Sequence, residues 1–209
     1  MKKILAITLT LAMCLTMGIP VFAETTDNNT NSPYTIQAKL TDENGYITYV
    51  EGYRQDMPMM ISDEASFAVA YSFNVYEHQL SKTGSDSAFA STITLIIYYT
   101  SYEDSSVEVY RLDRVRGYWA IQDAYVSVPR ASLVYSTSGF SLQSGYVTQR
   151  QEVELDPAPQ GFDLYTNFTD YVSNGPISIL GATLTLLYTR GGGRRWTFEM
   201  QNILFLNGV

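Results

Sequence analysis

The chain has 209 residues, 45% hydrophobic, 13% aromatic and 16% charged, with 13 Lys+Arg against 21 Asp+Glu and a formal net charge of −8. So few charges beside so many rings exclude a disordered chain, and a single cysteine excludes a disulfide scaffold. The acidic balance argues against nucleic acid or an anionic membrane surface as partner, because neutralising phosphates takes clustered Lys and Arg.

Lys2 and Lys3 precede an apolar run from Ile4 to Met17, then Gly18, Pro20 and Val21-Phe22-Ala23. A basic start, a short apolar core, a helix breaker and a small residue before the cut describe a secretory signal peptide over 1–23, cleaved after Ala23. An uncleaved anchor is the competing reading, but Thr and Pro interrupt the run and no stop-transfer charges follow. A lipoprotein is disfavoured by the bulky Met13 before Cys14. Cleavage removes Lys2, Lys3 and Cys14, leaving 186 residues, 11 basic against 21 acidic, a charge of −10 and no cysteine. A secreted, extracellular protein without disulfides, and without stable membrane insertion after cleavage, has to be held by its hydrophobic core.

Residues 24–32 are polar and aperiodic and read as a flexible leader. From there 33–209 read as a single β domain. Strands are expected near 34–40 and 46–53, joined through Asp42-Glu43-Asn44-Gly45, where Asn-Gly suits a tight hairpin. Met57-Pro58-Met59-Met60-Ile61 reads as an apolar loop packed beneath the sheets. Phe67, Val69, Tyr71, Phe73 and Val75 then alternate with small or polar residues, as do Ile93, Leu95, Ile97 and Tyr99. Ala182, Leu184, Leu186 and Tyr188 repeat the pattern, followed by Trp196, Phe198 and Met200. This period of 2 marks half-buried strands, and no stretch of similar length offers a helical stripe. Turns are expected at Lys82–Ser87, Glu103–Ser106, Gly117, Ser136–Gly139, Asp156–Gly161 and Arg190–Arg195. The pattern predicts an all-β, antiparallel β-sandwich, Ig-like or jelly-roll-like, of about ten to twelve strands. Two small sandwiches meeting near 100–115 also fit, but no linker-like composition lies there. Tyr110–Trp119 and Tyr188–Trp196 carry a faint mutual echo.

No assembled catalytic, cofactor or metal site is expected. His78 is the only histidine, so a multi-His zinc site is closed, and no Gly-x-Ser-x-Gly elbow supports a triad through it. Glu152, Glu154 and Asp156 fall on one strand face, about 7 Å between successive ones. They suit either a solvated face relieved by Arg, a Ca²⁺ site, or an acid/base pair for a polysaccharide hydrolase, for which Asp163 is a further candidate. Arg111, Arg114 and Arg116 form one basic cluster, and Arg190, Arg194 and Arg195 around Gly191-Gly192-Gly193 another. Each suits cross-strand pairing with Asp or Glu, or engagement of a carboxylate or sulfate on a glycan. Tyrosine, at 17, is the unusual count. Tyr71 and Tyr99 follow the core parity, whereas Tyr76, Tyr98 and Tyr110 fall on the opposite face, where rings can stack on sugars or a partner protein. Trp119 and Trp196 read as core anchors.

The stretch Val107-Glu108-Val109-Tyr110-Arg111-Leu112-Asp113-Arg114-Val115-Arg116-Gly117-Tyr118-Trp119 resembles the middle of small exported proteins of Gram-positive, Clostridia-like gut bacteria, with the pattern V-x-V-x-(basic)-L-x-x-V-x-G-x-W. The Gly181–Leu184 and Trp196–Phe198 hairpin is similar to theirs as well. The resemblance implies a secreted β-sandwich and no activity, cofactor or site residues. The expectation is a non-enzymatic binding or adhesion module for a glycan or cell-surface protein, with a polysaccharide hydrolase or a secreted inter-bacterial toxin as alternatives.

Overall fold

In a computed structural model of the protein, the described residues are 35–61, 64–80, 89–191 and 193–205. The expected signal peptide, the leader and the Lys82–Ser87 turn lie outside them. Eleven strands run β1 (Thr35–Asp42), β2 (Ile47–Ile61), β3 (Glu64–Tyr76), β4 (Phe89–Asp104), β5 (Val107–Ile121), β6 (Val126–Ser141), β7 (Gly145–Leu155), β8 (Gly161–Tyr165), β9 (Val172–Ser173), β10 (Ile179–Arg190) and β11 (Arg194–Phe205). A single 3-10 turn, Glu77–Leu80, follows β3. The protein is all-β, and every pairing is antiparallel. One sheet holds all the strands in the order β7-β6-β10-β11-β1-β2-β3-β4-β5-β8, with β9 also paired to β5. The sheet curls until it is nearly closed, like a barrel. No helix among the described residues is long and apolar enough to cross a membrane.

Alternation builds the core as expected. Val69, Tyr71, Phe73 and Val75 of β3, Ile93, Leu95 and Ile97 of β4, Ala182 to Tyr188 of β10, and Trp196, Phe198 and Met200 of β11 converge on one apolar cluster. Two cross-strand pairs set glycine against phenylalanine. Gly52 of β2 lies opposite Phe73, and Gly117 of β5 lies opposite Phe162 of β8. A Cβ at either glycine would sit 2.5 Å from the facing ring, so the missing side chain is what lets each ring lie over the backbone.

Four expectations are corrected. Gly117 and Ser136–Gly139 are strand interior rather than turns, since β5 and β6 run straight through them. Gly117 marks a close ring approach, and a Cβ on Gly139 would meet Ser178 and Val172. Met57–Ile61 continues β2 rather than forming a loop. Among the described residues β1 pairs only with Ile47–Tyr53, so no described strand needs a ladder N–H from Pro58 on that side. Tyr110 is buried in the core, not on the outer face. The β4–β5 register shifts between Tyr98 and Tyr99, leaving Asp113 as an extra residue. That bulge reverses the parity of β5, so Trp119, Gly117 and Val115 point inward on one side of it, and Leu112 and Tyr110 on the other. The faint Tyr110–Trp119 echo, too weak in sequence to be a repeat, falls on a continuous strand in one copy and a hairpin in the other.

The ends of the sheet meet through side chains. Residues 111–113 of β5 fall between its pairings with β9 and β8. There the backbone N–H of Leu112 donates to Thr137 Oγ1 of β6 (3.0 Å), and Thr166 Oγ1 donates to the carbonyl of Leu112 (2.5 Å). Gln151 of β7 accepts from the Tyr135 hydroxyl and donates to the carbonyl of Thr166 (3.2 Å). Gln149 accepts from the N–H of Thr169 and donates to the carbonyl of Asp170. Hydroxyls and amides thus satisfy buried backbone where no ladder neighbour reaches it.

Candidate functional site

A hollow of about 350 Å³ opens where the β1–β2 hairpin meets the start of β11. The hairpin is shaped by Asp42, whose Oδ1 accepts from the N–H groups of Asn44 (2.9 Å) and Tyr46 (2.8 Å). Gly45 supplies the positive φ of 83° that the tight turn needs. This geometry lifts Tyr46 to 72% exposure at the rim. The opposite wall is Arg194, Arg195 and Trp196 of β11. Trp196 pairs with Asp42 and with Tyr188 on its two flanks and is 8% exposed, so its indole is wall rather than platform. Gln79, from the 3-10 turn, also lines the hollow. Its Oε1 accepts from the N–H of Tyr76 (2.8 Å), which leaves its amide N–H₂ to donate elsewhere. The hollow thus combines one free ring, amide donors and two guanidinium groups, the mixture with which proteins grip small polar ligands.

The structure divides the Gly-flanked arginines. Arg190 turns away to Asp123, a side chain only 4% exposed, with Nη2 3.1 Å from Oδ2. Distance makes this an ion pair, yet neither Asp123 Oδ2 nor Arg190 Nη1 has a hydrogen-bond partner among the described residues, so the contact is one of charge rather than of aligned bonds. Arg194 and Arg195 stay exposed at the hollow. Arg111, Arg114 and Arg116 occupy the outer face of β5 instead. Arg111 bonds Asp113 (2.7 Å) beneath the ring of Tyr171. Arg114 is held by both oxygens of Asp163 and lies near the rings of Tyr98 and Tyr165, at 5.0 and 5.2 Å. The paired guanidinium holds the Asp163 carboxyl below its usual range. Arg114 therefore takes the cross-strand pairing expected of it, whereas Arg111 pairs along its own strand with Asp113.

The carboxylate row is placed as the alternation required. Glu152 and Glu154 are exposed on β7, Glu152 beside Arg150 at 3.2 Å. Asp156 lies past the end of the strand and pairs with Arg130. None of these, nor Asp163, lines either principal hollow. No group of three or more His, Cys, Asp or Glu residues among the described ones is arranged to hold a metal ion. The side chain of His78 lies outside the described residues.

Among the described residues eight tyrosines are exposed, at 46, 49, 53, 102, 118, 125, 146 and 165, while Tyr71, Tyr110, Tyr135 and Tyr188 are buried. Sequence reasoning read the β1–β2 turn as a connector only and missed Tyr46, Asn44 and Gln79 as lining residues. The available signal was a large aromatic directly after Asn-Gly, where a turn alone needs none. Comparison with protein-family models, curated proteins and solved structures returns no match.

Proposed function

We propose that this protein is a secreted, non-enzymatic binding module that takes a glycan in the hollow beneath the β1–β2 hairpin. The observation that carries the reading is the hollow itself, with the exposed ring of Tyr46 at its rim and polar groups of Asn44, Gln79, Arg194 and Arg195 around it. A ring face stacks on the C–H side of a sugar while amide and guanidinium donors meet its oxygens. Export follows from the reading of residues 1–23 as a signal peptide. For the fold we propose a sandwich-like packing of the curled sheet, supported by Asn202 of β11, whose amide reaches carbonyls of β3 and β4 across the core.

The test is to express the full chain in an exporting bacterial host, recover the protein from the medium and screen it on a glycan array. An N-terminus at Glu24 and retention on at least one glycan, lost in Tyr46→Ala, are the expected results. Retention on none of the glycans removes the reading, and retention unchanged in Tyr46→Ala moves it to another surface.

A further inference from the structure

We infer that the ligand of this hollow is a carboxylate-bearing saccharide, a uronate or a sialate, selected by Arg194 and Arg195; the inference rests on the glycan reading above and names its ligand class. The chain has nine arginines and an excess of acidic residues, 21 against 13 basic ones. In such a chain a guanidinium has many carboxylates to choose from. Six arginines have chosen one: Arg54, Arg111, Arg114, Arg130, Arg150 and Arg190 each sit within 4.0 Å of an Asp or Glu oxygen. Arg116 lies over the ring of Tyr118. The side chains of Arg194 and Arg195 have neither an ion pair nor a hydrogen bond among the described residues, and both residues line the hollow.

The acids nearest to hand do not use them up. Asp42 spends Oδ1 on the turn, accepting from Asn44 and Tyr46. Glu43, exposed at the hairpin tip, also lines the hollow and forms no ion pair with either arginine. Its charge repels a ligand carboxylate from the hairpin side and so directs that group toward β11. There the forked donors of Arg194 and of Arg195, both lining the hollow at the start of β11, each suit a planar carboxylate, which a neutral hydroxymethyl group cannot match. The ring of Tyr46 and the amide N–H₂ of Gln79 remain for the pyranose face and its hydroxyls, while the Asn44 amide also donates to Asp42 Oδ2 (3.4 Å).

The test uses the full-chain protein and two matched probe pairs: oligogalacturonate against its carboxyl-reduced form, and sialyllactose against lactose, each titrated by calorimetry at low and high salt. At least one acid is expected to bind tighter than its neutral partner and to weaken as salt screens the charge. Arg194→Gln and Arg195→Gln should each weaken the acid roughly 10-fold or more and weaken any neutral saccharide by a smaller factor. Arg195→Lys should recover part of the loss, since it restores charge but not the fork. Neutral probes binding as tightly as acidic ones overturn the carboxylate assignment and leave the glycan reading standing. Acid binding unmoved by either Gln variant overturns it too, by placing the acid elsewhere. If no saccharide of any kind binds, both fall together.

Discussion

The side-chain amide of Asn202, on β11, donates to the carbonyls of Val69 on β3 (2.8 Å) and Leu95 on β4 (3.0 Å) on the facing wall of the core. Asn202 is fully buried, and its Oδ1 has no hydrogen-bond partner among the described residues. Val69 and Leu95 both lie within the β3–β4 ladder, so their carbonyls are not dependent on Asn202 alone. Asn202→Leu should therefore be the mildest replacement, trading two hydrogen bonds for apolar contact. Asn202→Asp puts an unpaired charge in the same place and should cost about 3–5 kcal/mol, with Asn202→Ala between them at about 2–4 kcal/mol. Urea unfolding of the three variants checks the order. A Leu variant less stable than the Asp variant would contradict it.

The same neighbourhood fixes Gly181. A Cβ there would strike the carbonyl oxygen of Asn202 and come within 2.7 Å of the Cα of Ile203, both backbone atoms of the paired strand. Neither can rotate away as a flexible side chain does. Gly181→Ala should destabilise by about 2–3 kcal/mol. At Gly117 the obstacle is a ring instead, so Gly117→Ala should be relieved when Phe162 becomes Leu. A double-mutant cycle with a coupling of roughly 1 kcal/mol is the expected reading, and strict additivity would show that ring and glycine do not depend on each other.

How much of this was legible in the sequence follows from what alternation encodes. It marks which residues of β3, β4, β10 and β11 face inward, because a half-buried strand has to repeat every second residue. It does not register the bulge at Asp113, where one unpaired residue sends Tyr110 to the core and shifts the rest of β5 with it. Nor does it reveal that Arg190 and Arg194, close in sequence, part company at the Gly turn, one to Asp123 and one to the hollow. Both facts depend on partners distant in sequence. Gly52 and Gly117 carried a readable sign, a glycine inside a strong strand pattern, whose meaning is a ring on the neighbouring strand.

The sheet ends are joined by single side chains, which makes the seam separately testable. Thr137→Val keeps the shape but removes the acceptor for the Leu112 N–H. A buried donor left without a partner costs about 1–3 kcal/mol. Faster hydrogen exchange at Leu112, beyond the change elsewhere in the core, is the expected sign, since global destabilisation raises all core amides together.

Acid should weaken the β5–β8 edge through Asp163. Its hydrogen bonds from Arg114 lower the folded-state pKa, so the stability it contributes is complete above the unfolded carboxyl range and fades as pH falls through the lowered folded value. Asp163→Asn removes that contribution, so its stability should change less than the parent's between about pH 5 and pH 2. Chemical unfolding across that range checks it, and parallel curves for the two proteins would count against the pairing. At the alkaline end, burial raises the Tyr188 hydroxyl, which bonds Ser91 Oγ at 2.6 Å. Its contribution holds below the unfolded tyrosine value near pH ~10 and is lost as pH climbs beyond it.

The two arginines of the last hairpin should respond differently to the same substitution. Arg190→Gln leaves the Asp123 carboxylate, 4% exposed, without its counter-charge, while the N–H of Tyr125 still bonds Oδ1 at 2.8 Å. An uncompensated buried charge costs about 3–5 kcal/mol, and the remaining backbone bond places this case near the lower end. Adding Asp123→Asn removes the charge that was stranded, so the double variant should be more stable than Arg190→Gln alone. Arg194→Gln, exposed and without an ion pair, should shift stability by less than about 0.5 kcal/mol. Thermal and urea unfolding of the set decide the matter. Equal losses at Arg190 and Arg194 would mean that the two belong to one structural cluster after all, and that ligand effects of Arg194→Gln report folding rather than binding.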